Sequence, residues 1–199
     1  MLTHGKLAFQ AMGADSDKSG LGRWTWARYR GQNGHNLRVV SIYRPCSNES
    51  GQASVWSQHK AYFQSINDDR DPRDAFMEDL ETEAREWLDA GDHLIIGGDL
   101  NDDIFKEDVR KLFEDKLGLK DLIYSRHPKS EAPATYARNT NHKTIDGIWG
   151  SPAVQVSRCG YLEASTAFPG DHAVLWVDVI ITSVLGGPIQ ESTAFHARR

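Results

Sequence analysis

The segment His93–Asp99 (HLIIGGD) restricts the fold more than any other part of the chain. Its apolar run shows no polar–apolar alternation. As a strand it must therefore be buried on both faces, inside a sheet that is covered on both sides. Gly97 and Gly98 at its end let the backbone come close to a ligand. The next residues are Asp99, Leu100 and Asn101. A carboxylate and an amide two positions apart share one side if strand geometry continues. An ionised Asp can bind a cation or take a proton from water, and an Asn amide can donate to a phosphate oxygen. The same two residues also suit a simple turn.

The rest of the chain supplies a sheet and its cover. Arg23–Arg30 (RWTWARYR) and Leu37–Tyr43 (LRVVSIY) read as strands joined by a turn at Asn33-Gly34, hence a β-hairpin. Trp24, Trp26, Arg28 and Arg30 share one face of the first strand. That face could stack and attract a nucleic acid, but a half-buried strand with snorkelling arginines accounts for it better. A helix is expected over Ala53–Ile66. A stronger one starts at Asp71 as N-cap and Pro72 as first residue, repeats Phe76, Leu80, Ala84, Trp87 and Leu88 at helical spacing, and stops at Gly91. Residues 67–74 (NDDRDPRD) read as a solvated connector. Val109, Leu112, Phe113 and Leu117 mark a further helix before Gly118. Strands follow around Thr135–Arg138, Thr144–Trp149, Ala153–Leu162 and Ala173–Ile181. Residues 1–21 show no period and read as a ragged N-terminal segment. The remainder from 182 to 199 reads as linker or tail. Strands with interspersed helices give an α+β or layered α/β class.

Bulk properties exclude several alternatives. With 199 residues, 39% hydrophobic and 26% charged, the chain suits one ordinary globular domain. No apolar run is long enough to cross a bilayer, and the N-terminus has no basic start followed by a long apolar stretch. Two cysteines, Cys46 and Cys159, cannot build a disulfide framework or a zinc site on their own. A net charge of −5 argues against a protein that coats DNA. It is compatible with a nuclease, because clustered carboxylates that hold divalent cations lower the pI.

Two further sites carry chemistry. Asp146, in Thr144-Ile145-Asp146-Gly147-Ile148-Trp149, puts a charge inside a strand, which is costly to bury without a partner. Asp171-His172 follows Phe168-Pro169-Gly170 and precedes an apolar run, which places a carboxylate beside a titratable imidazole at the mouth of a strand. Each residue taken alone could be a solvent-facing or loop-end group.

Their order and flanks carry more than any one of them. Gly-Gly-Asp-Leu-Asn, then Ile-Asp-Gly-Ile-Trp-Gly-Ser, then Gly-Asp-His-Ala-Val-Leu-Trp-Val-Asp closely resemble the last three blocks of the endonuclease/exonuclease/phosphatase family. Ser41-Ile42-Tyr43-Arg44-Pro45 resembles that family's earlier strand ending in Tyr-x-Pro. The resemblance runs from about Gly22 to Ile181 and favours the AP-endonuclease and retrotransposon-endonuclease branch. It implies a four-layer α/β/β/α DNase I-like sandwich. It also implies a Mg2+- or Mn2+-dependent hydrolysis of phosphodiesters, with DNA as substrate. Asp99 matches the aspartate that orients or deprotonates the attacking water, and it can also serve the metal. Asn101 matches the asparagine that contacts phosphate. Asp146 and His172 match a carboxylate–imidazole dyad, and Asp171 a residue that can take part in metal binding. Tyr43 matches the tyrosine that positions the scissile phosphate, and Arg44 beside it is a candidate phosphate contact. The resemblance further implies that the domain could precede a reverse transcriptase in a longer protein, from which a nuclear location would follow. No address for a compartment and no oligomeric state is readable.

One departure weighs against activity. The family opens with a strand bearing Asn or Asp and a second strand ending in Gln-Glu, whose Glu is the principal metal ligand. Nothing before Arg23 supplies either, so residues 22–181 are expected to be a partial domain lacking its first core strands. The competing expectations are a catalytically inactive remnant, or a phosphatase of the same fold acting on inositol phosphates or lipids.

Overall fold

In a computed structural model, the structure describes residues 2–47, 53–126, 134–138, 141–162 and 170–189. Phe168, Pro169 and the chain after Ile189 lie outside the described residues. Three strands, β1 (Ala11–Ser16), β2 (Trp24–Arg30) and β3 (Asn36–Tyr43), form an antiparallel meander. Helices α1 (Val55–Ser65) and α2 (Pro72–Asp89) then cross over to β4 (Asp92–Asp99), which runs parallel to β3. A short helix α3 (Glu107–Arg110) continues as a wider π-helical turn, Lys111–Lys116, before β5 (Lys120–Asp121). A small hairpin, β6 (Tyr136–Arg138) with β7 (Asn141–Lys143), leads into β8 (Asp146–Gly150). Last come β9 (Val156–Leu162), β10 (Val174–Val179) and α4 (Ile181–Leu185). The main sheet has six strands in the order β1-β2-β3-β4-β8-β5, while β9 and β10 pair as a second, two-stranded sheet.

Each element follows from local chemistry. The Asp71 carboxylate caps α2 by accepting from the Arg73 N–H at 2.7 Å, and Pro72, which lacks an N–H, sits where none is needed. The apolar stripe Phe76, Leu80 and Ala84 is fully buried against Val40, Ile42, Leu94 and Ile96 of the sheet. Trp149 of β8 stacks on Phe113 at 4.1 Å on the same side. The other sheet face buries Ala27, Tyr29 and Leu37 against Val156, Val177 and Val179 of the second sheet and Val184 and Leu185 of α4. The layers are thus helices, main sheet and second sheet. Strand β4 is central and covered on both sides, as its unbroken apolar run demands. No helix among the described residues is long and apolar enough to cross a membrane. Cys46 and Cys159 are both free and partly buried.

Two sequence expectations are corrected. Residues 11–16, read as part of a ragged start, form edge strand β1, whose residues are all exposed. An exposed edge strand needs no apolar face, so AMGADS gave no periodic signal. The stretch after Thr182, read as linker, begins with α4, whose Val184 and Leu185 are buried. The arginines of β2 are also accounted for. Arg28 and Arg38 both donate to the fully buried Asp92 carboxylate, at 2.7 and 2.9 Å, so Arg28 holds the fold together.

One buried acid offers a pH test of this packing. Glu83 of α2 is 8% exposed, accepts from the Trp24 indole N–H at 3.0 Å, and has Lys18 at 3.9 Å. Burial pushes its carboxyl above the ordinary value, with Asp17 and Glu86 adding to the rise and Lys18 and Trp24 opposing it. The folded carboxyl therefore holds its proton more tightly than the unfolded one. Stability from this group is complete at acid pH and declines as pH rises through the raised folded value. Glu83→Gln keeps an acceptor for Trp24 and removes the charge. It should raise the thermal midpoint at pH 7, by about 2–4 °C for each kcal/mol gained. The gain should vanish as pH falls below 4.5, the ordinary Glu value. Equal midpoint differences at pH 4 and pH 7, read by circular dichroism, would contradict this origin.

Candidate active site

Register brings the site together. Tyr43 is paired with Asp99 across β3 and β4, and Asp99 is paired with Asp146 across β4 and β8. Residues paired side by side point to the same sheet face. Tyr43, Asp99 and Asp146 thus form one rung at the end of three adjacent strands, on the face toward the second sheet. A fourth residue arrives from the segment just before β10. The backbone bridge between Tyr136 and His172 and the edge-to-face contact of their rings at 5.1 Å set the imidazole beside β8.

The hydrogen bonds define roles. His172 Nδ1 lies 3.0 and 3.2 Å from the two Asp146 carboxylate oxygens. With a proton on Nδ1 this fixes the ring and leaves Nε2 for a substrate; the tautomer is inferred from the bond. Thr135 Oγ1, fully buried, accepts from the Ile145 and Asp146 N–H groups at 3.0 Å each. Its hydroxyl also bonds the Asp146 side chain. Asp99 accepts from the Asn101 N–H at 2.7 Å and the Asn101 amide at 3.1 Å. That local turn puts Asn101 at φ 48°, a left-handed conformation that Asn tolerates. Burial, chiefly, raises the carboxyls of both Asp99 and Asp146 above the ordinary range. Asp146 pushes Asp99 further up, while the Asn101 N–H, His172 and Arg73 pull it down. Burial likewise raises the Tyr43 phenol, with Cys46 and Asp99 adding to it.

A divalent cation suits this donor set. One ligand atom each from Asp99, Asp146 and His172 lies within 4.8 Å of the others. Two desolvated carboxylates facing each other repel, and a cation between them would relieve that repulsion. Among the described residues no Glu joins the group.

Not every expected residue is there. Arg44 was expected as a candidate phosphate contact. It is 4% exposed, and its guanidinium lies 3.6 Å from Asp102 and 3.9 Å from Asp108, in a pocket that α2 and α3 help to line. Its Nε and Nη1 lack hydrogen-bond partners. Only its backbone serves the site: its N–H donates to the Asp99 carbonyl at 2.9 Å, and its carbonyl accepts from the Asn101 amide at 2.8 Å. Asp171 is next to His172 in the chain, but its carboxylate is outside the three-residue group; its carbonyl accepts from the Ala137 N–H at 2.8 Å. The Asn101 amide, expected on a phosphate, is placed on Arg44 and Asp99, where it orients the carboxylate.

Sequence reasoning missed Arg73. It belongs to the 67–74 charge run that read as a solvated connector, yet it donates to the Pro45 carbonyl at 2.6 Å and to Asp102 at 2.8 Å. It ties the loop after β3 to the loop after β4 and places a positive charge near Asp99. Only its position, one residue past the proline of an N-capped helix, hinted that it is fixed.

No protein-family model matches the chain, and no curated protein is similar to it in sequence. Solved structures are similar in fold. The 3' phosphatase NExo from Neisseria, bound to a product DNA hairpin, superposes with a TM-score of 0.56 at 18% identity, covering 85% of this chain and 71% of its own. A mannosyl-6-phosphatase from Bacteroides thetaiotaomicron gives 0.52 at 16% identity, covering 79% and 56%. An endonuclease/exonuclease/phosphatase family protein from Leptotrichia buccalis gives 0.51 at 14% identity, covering 78% and 52%. The chain thus spans between 52% and 71% of the length of these structures. Its fold is that of the endonuclease/exonuclease/phosphatase proteins, the α+β DNase I-like class.

Proposed function

We propose that the chain hydrolyses phosphodiesters with the help of a divalent cation, Mg2+ or Mn2+, and that its substrate is DNA. The observation that carries this is the rung Tyr43–Asp99–Asp146 with His172 held on Asp146. A water oxygen bonds to phosphorus and gives its proton to Asp99. The bond from phosphorus to the leaving oxygen breaks, and that oxygen takes a proton from solvent. His172, oriented by Asp146 and carrying a proton on Nε2 as well, donates from Nε2 to a non-bridging oxygen, and Tyr43 orients the phosphate from the neighbouring strand. Asp99 and Asp146 would hold the cation, which offsets charge developing on the phosphate oxygens. The finer identity, an endonuclease of retroelement type that precedes a reverse transcriptase in its parent protein, is supported by Tyr43-Arg44-Pro45 and by the α1–α2 connection between β3 and β4.

A second interpretation is an inactive domain, favoured by the lack of a Glu in the three-residue group among the described residues. Nicking of supercoiled plasmid separates the two. The hydrolytic proposal expects nicking with Mg2+ or Mn2+, none with EDTA, and about a hundredfold loss or more in His172→Ala, the scale of a lost donor to the developing charge. Nicking undiminished in His172→Ala, or none with either metal, would count against it.

A further inference from the structure

A cleft of about 720 Å³ opens beside Asn101. That lies within the range of about 300–1,000 Å³ that ligand clefts occupy. Its walls include Arg73, Phe105, Lys106, His142 and Lys143, together with Asp102 and Asp103. The two acids are already engaged. Asp102 binds Arg73 at 2.8 Å and Lys106 at 2.5 Å, and Asp103 caps the Phe105 N–H at 2.9 Å. His142 and Lys143, by contrast, are exposed on β7, and among the described residues neither side chain has an ion-pair partner. Phe105, held edge-on to Tyr124 at 5.4 Å, gives the cleft an aromatic wall. Arg73, Lys106 and Lys143 thus face Asp102 and Asp103 with one positive charge in excess, and among the described residues Lys143 is the cation not already engaged, next to the residue that orients Asp99.

A substrate with a single phosphate would have no use for such a wall. A nucleic-acid strand carries a phosphate about every 3.4 Å of helix axis, so a strand seated on the rung brings its next phosphate into reach. We propose that this cleft is a subsite for the phosphate adjacent to the scissile one, with Lys143 as its main contact. Granted the hydrolytic reading above, on which this inference rests, the substrate class is a polynucleotide rather than a phosphomonoester. Lys143 contributes its backbone carbonyl to the Thr135 N–H at 2.9 Å, and substitution of its exposed side chain leaves that bond in place.

The test is binding of a fluorescein-labelled single-stranded oligodeoxynucleotide across a salt series, followed by fluorescence anisotropy. For one lost phosphate contact on a single strand, the slope of log K against log[salt] should become shallower by about 0.7 in Lys143→Ala, and Lys143→Arg should restore it. An unchanged slope, failure of Lys143→Arg to restore it, or no binding by the unaltered chain overturns the subsite. Competition by myo-inositol hexakisphosphate that weakens as much as oligonucleotide binding in Lys143→Ala overturns the polynucleotide assignment. The ratio of turnover on an oligonucleotide to turnover on bis(p-nitrophenyl) phosphate should also drop in Lys143→Ala; a parallel loss on both means that Lys143 acts through the fold. If neither ester is hydrolysed by the unaltered chain, the hydrolytic reading fails, and the salt slope still decides the subsite.

Discussion

Asp99→Asn is expected to lower the rate of phosphodiester cleavage by about 10²–10⁴-fold, the span for removal of a general base, while the folded chain becomes more stable. The two halves have one cause. Burial raises the Asp99 carboxyl above its ordinary value, so the charged form that accepts a proton is held at a cost in folding free energy. Stability from this group is fully present below the ordinary carboxyl value of 3.8 and is lost as pH rises through the raised folded value. A neutral amide of the same shape removes that cost and still accepts the Asn101 N–H, which now bonds the carboxylate at 2.7 Å. In EDTA at pH 7 the melting midpoint of Asp99→Asn should exceed that of the unaltered chain. A variant that lost activity and melted earlier would show that Asp99 serves the fold and not the reaction.

Gly98→Ala should have the largest effect on stability, a loss above about 3 kcal/mol, at the top of the usual overpacking range. Gly98 has φ 155°, and a Cβ there would sit 2.0 Å from the Ile42 carbonyl oxygen, on the adjoining backbone of β3. Backbone cannot swing aside as a side chain can. Relief would have to come from parting β3 and β4, the parallel pair that aligns Tyr43 with Asp99. Urea titration should show the shift, with phosphodiester cleavage falling at the same time. A loss under 1 kcal/mol would mean that the two strands are not packed this closely.

Much of the fold was legible because burial leaves a pattern. The unbroken run of β4, the hairpin turn at Asn33-Gly34, and the stripe of α2 with its Asp71 cap all state their surroundings in the sequence. Asp99, Asp146 and His172 were legible for a different reason, the order and flanks of their motifs. The strand pattern also bears on where Arg44 lies. Consecutive strand residues point to opposite faces, so a Tyr43 on the rung sends Arg44 to the helix side. Arg73 was hidden by composition, since a run of Asp and Arg looks solvated until the fold brings the loops after β3 and β4 against it. Strand β1 and helix α4 are too exposed or too short to leave a periodic trace.

The rung also links the site to folding. Its three residues come from strands far apart in sequence, and His172 joins from the segment before β10, so no local stretch of chain can assemble the site. An ion with affinity for this site would bind the native state and ignore the unfolded one. Such an ion stabilises by RT ln(1 + [L]/Kd), about 2.7 kcal/mol at a hundredfold excess over Kd. The cation would then act as a clasp between β4 and β8. A melting curve that rises with Mn2+ concentration would report ion binding even in a chain that cleaves nothing.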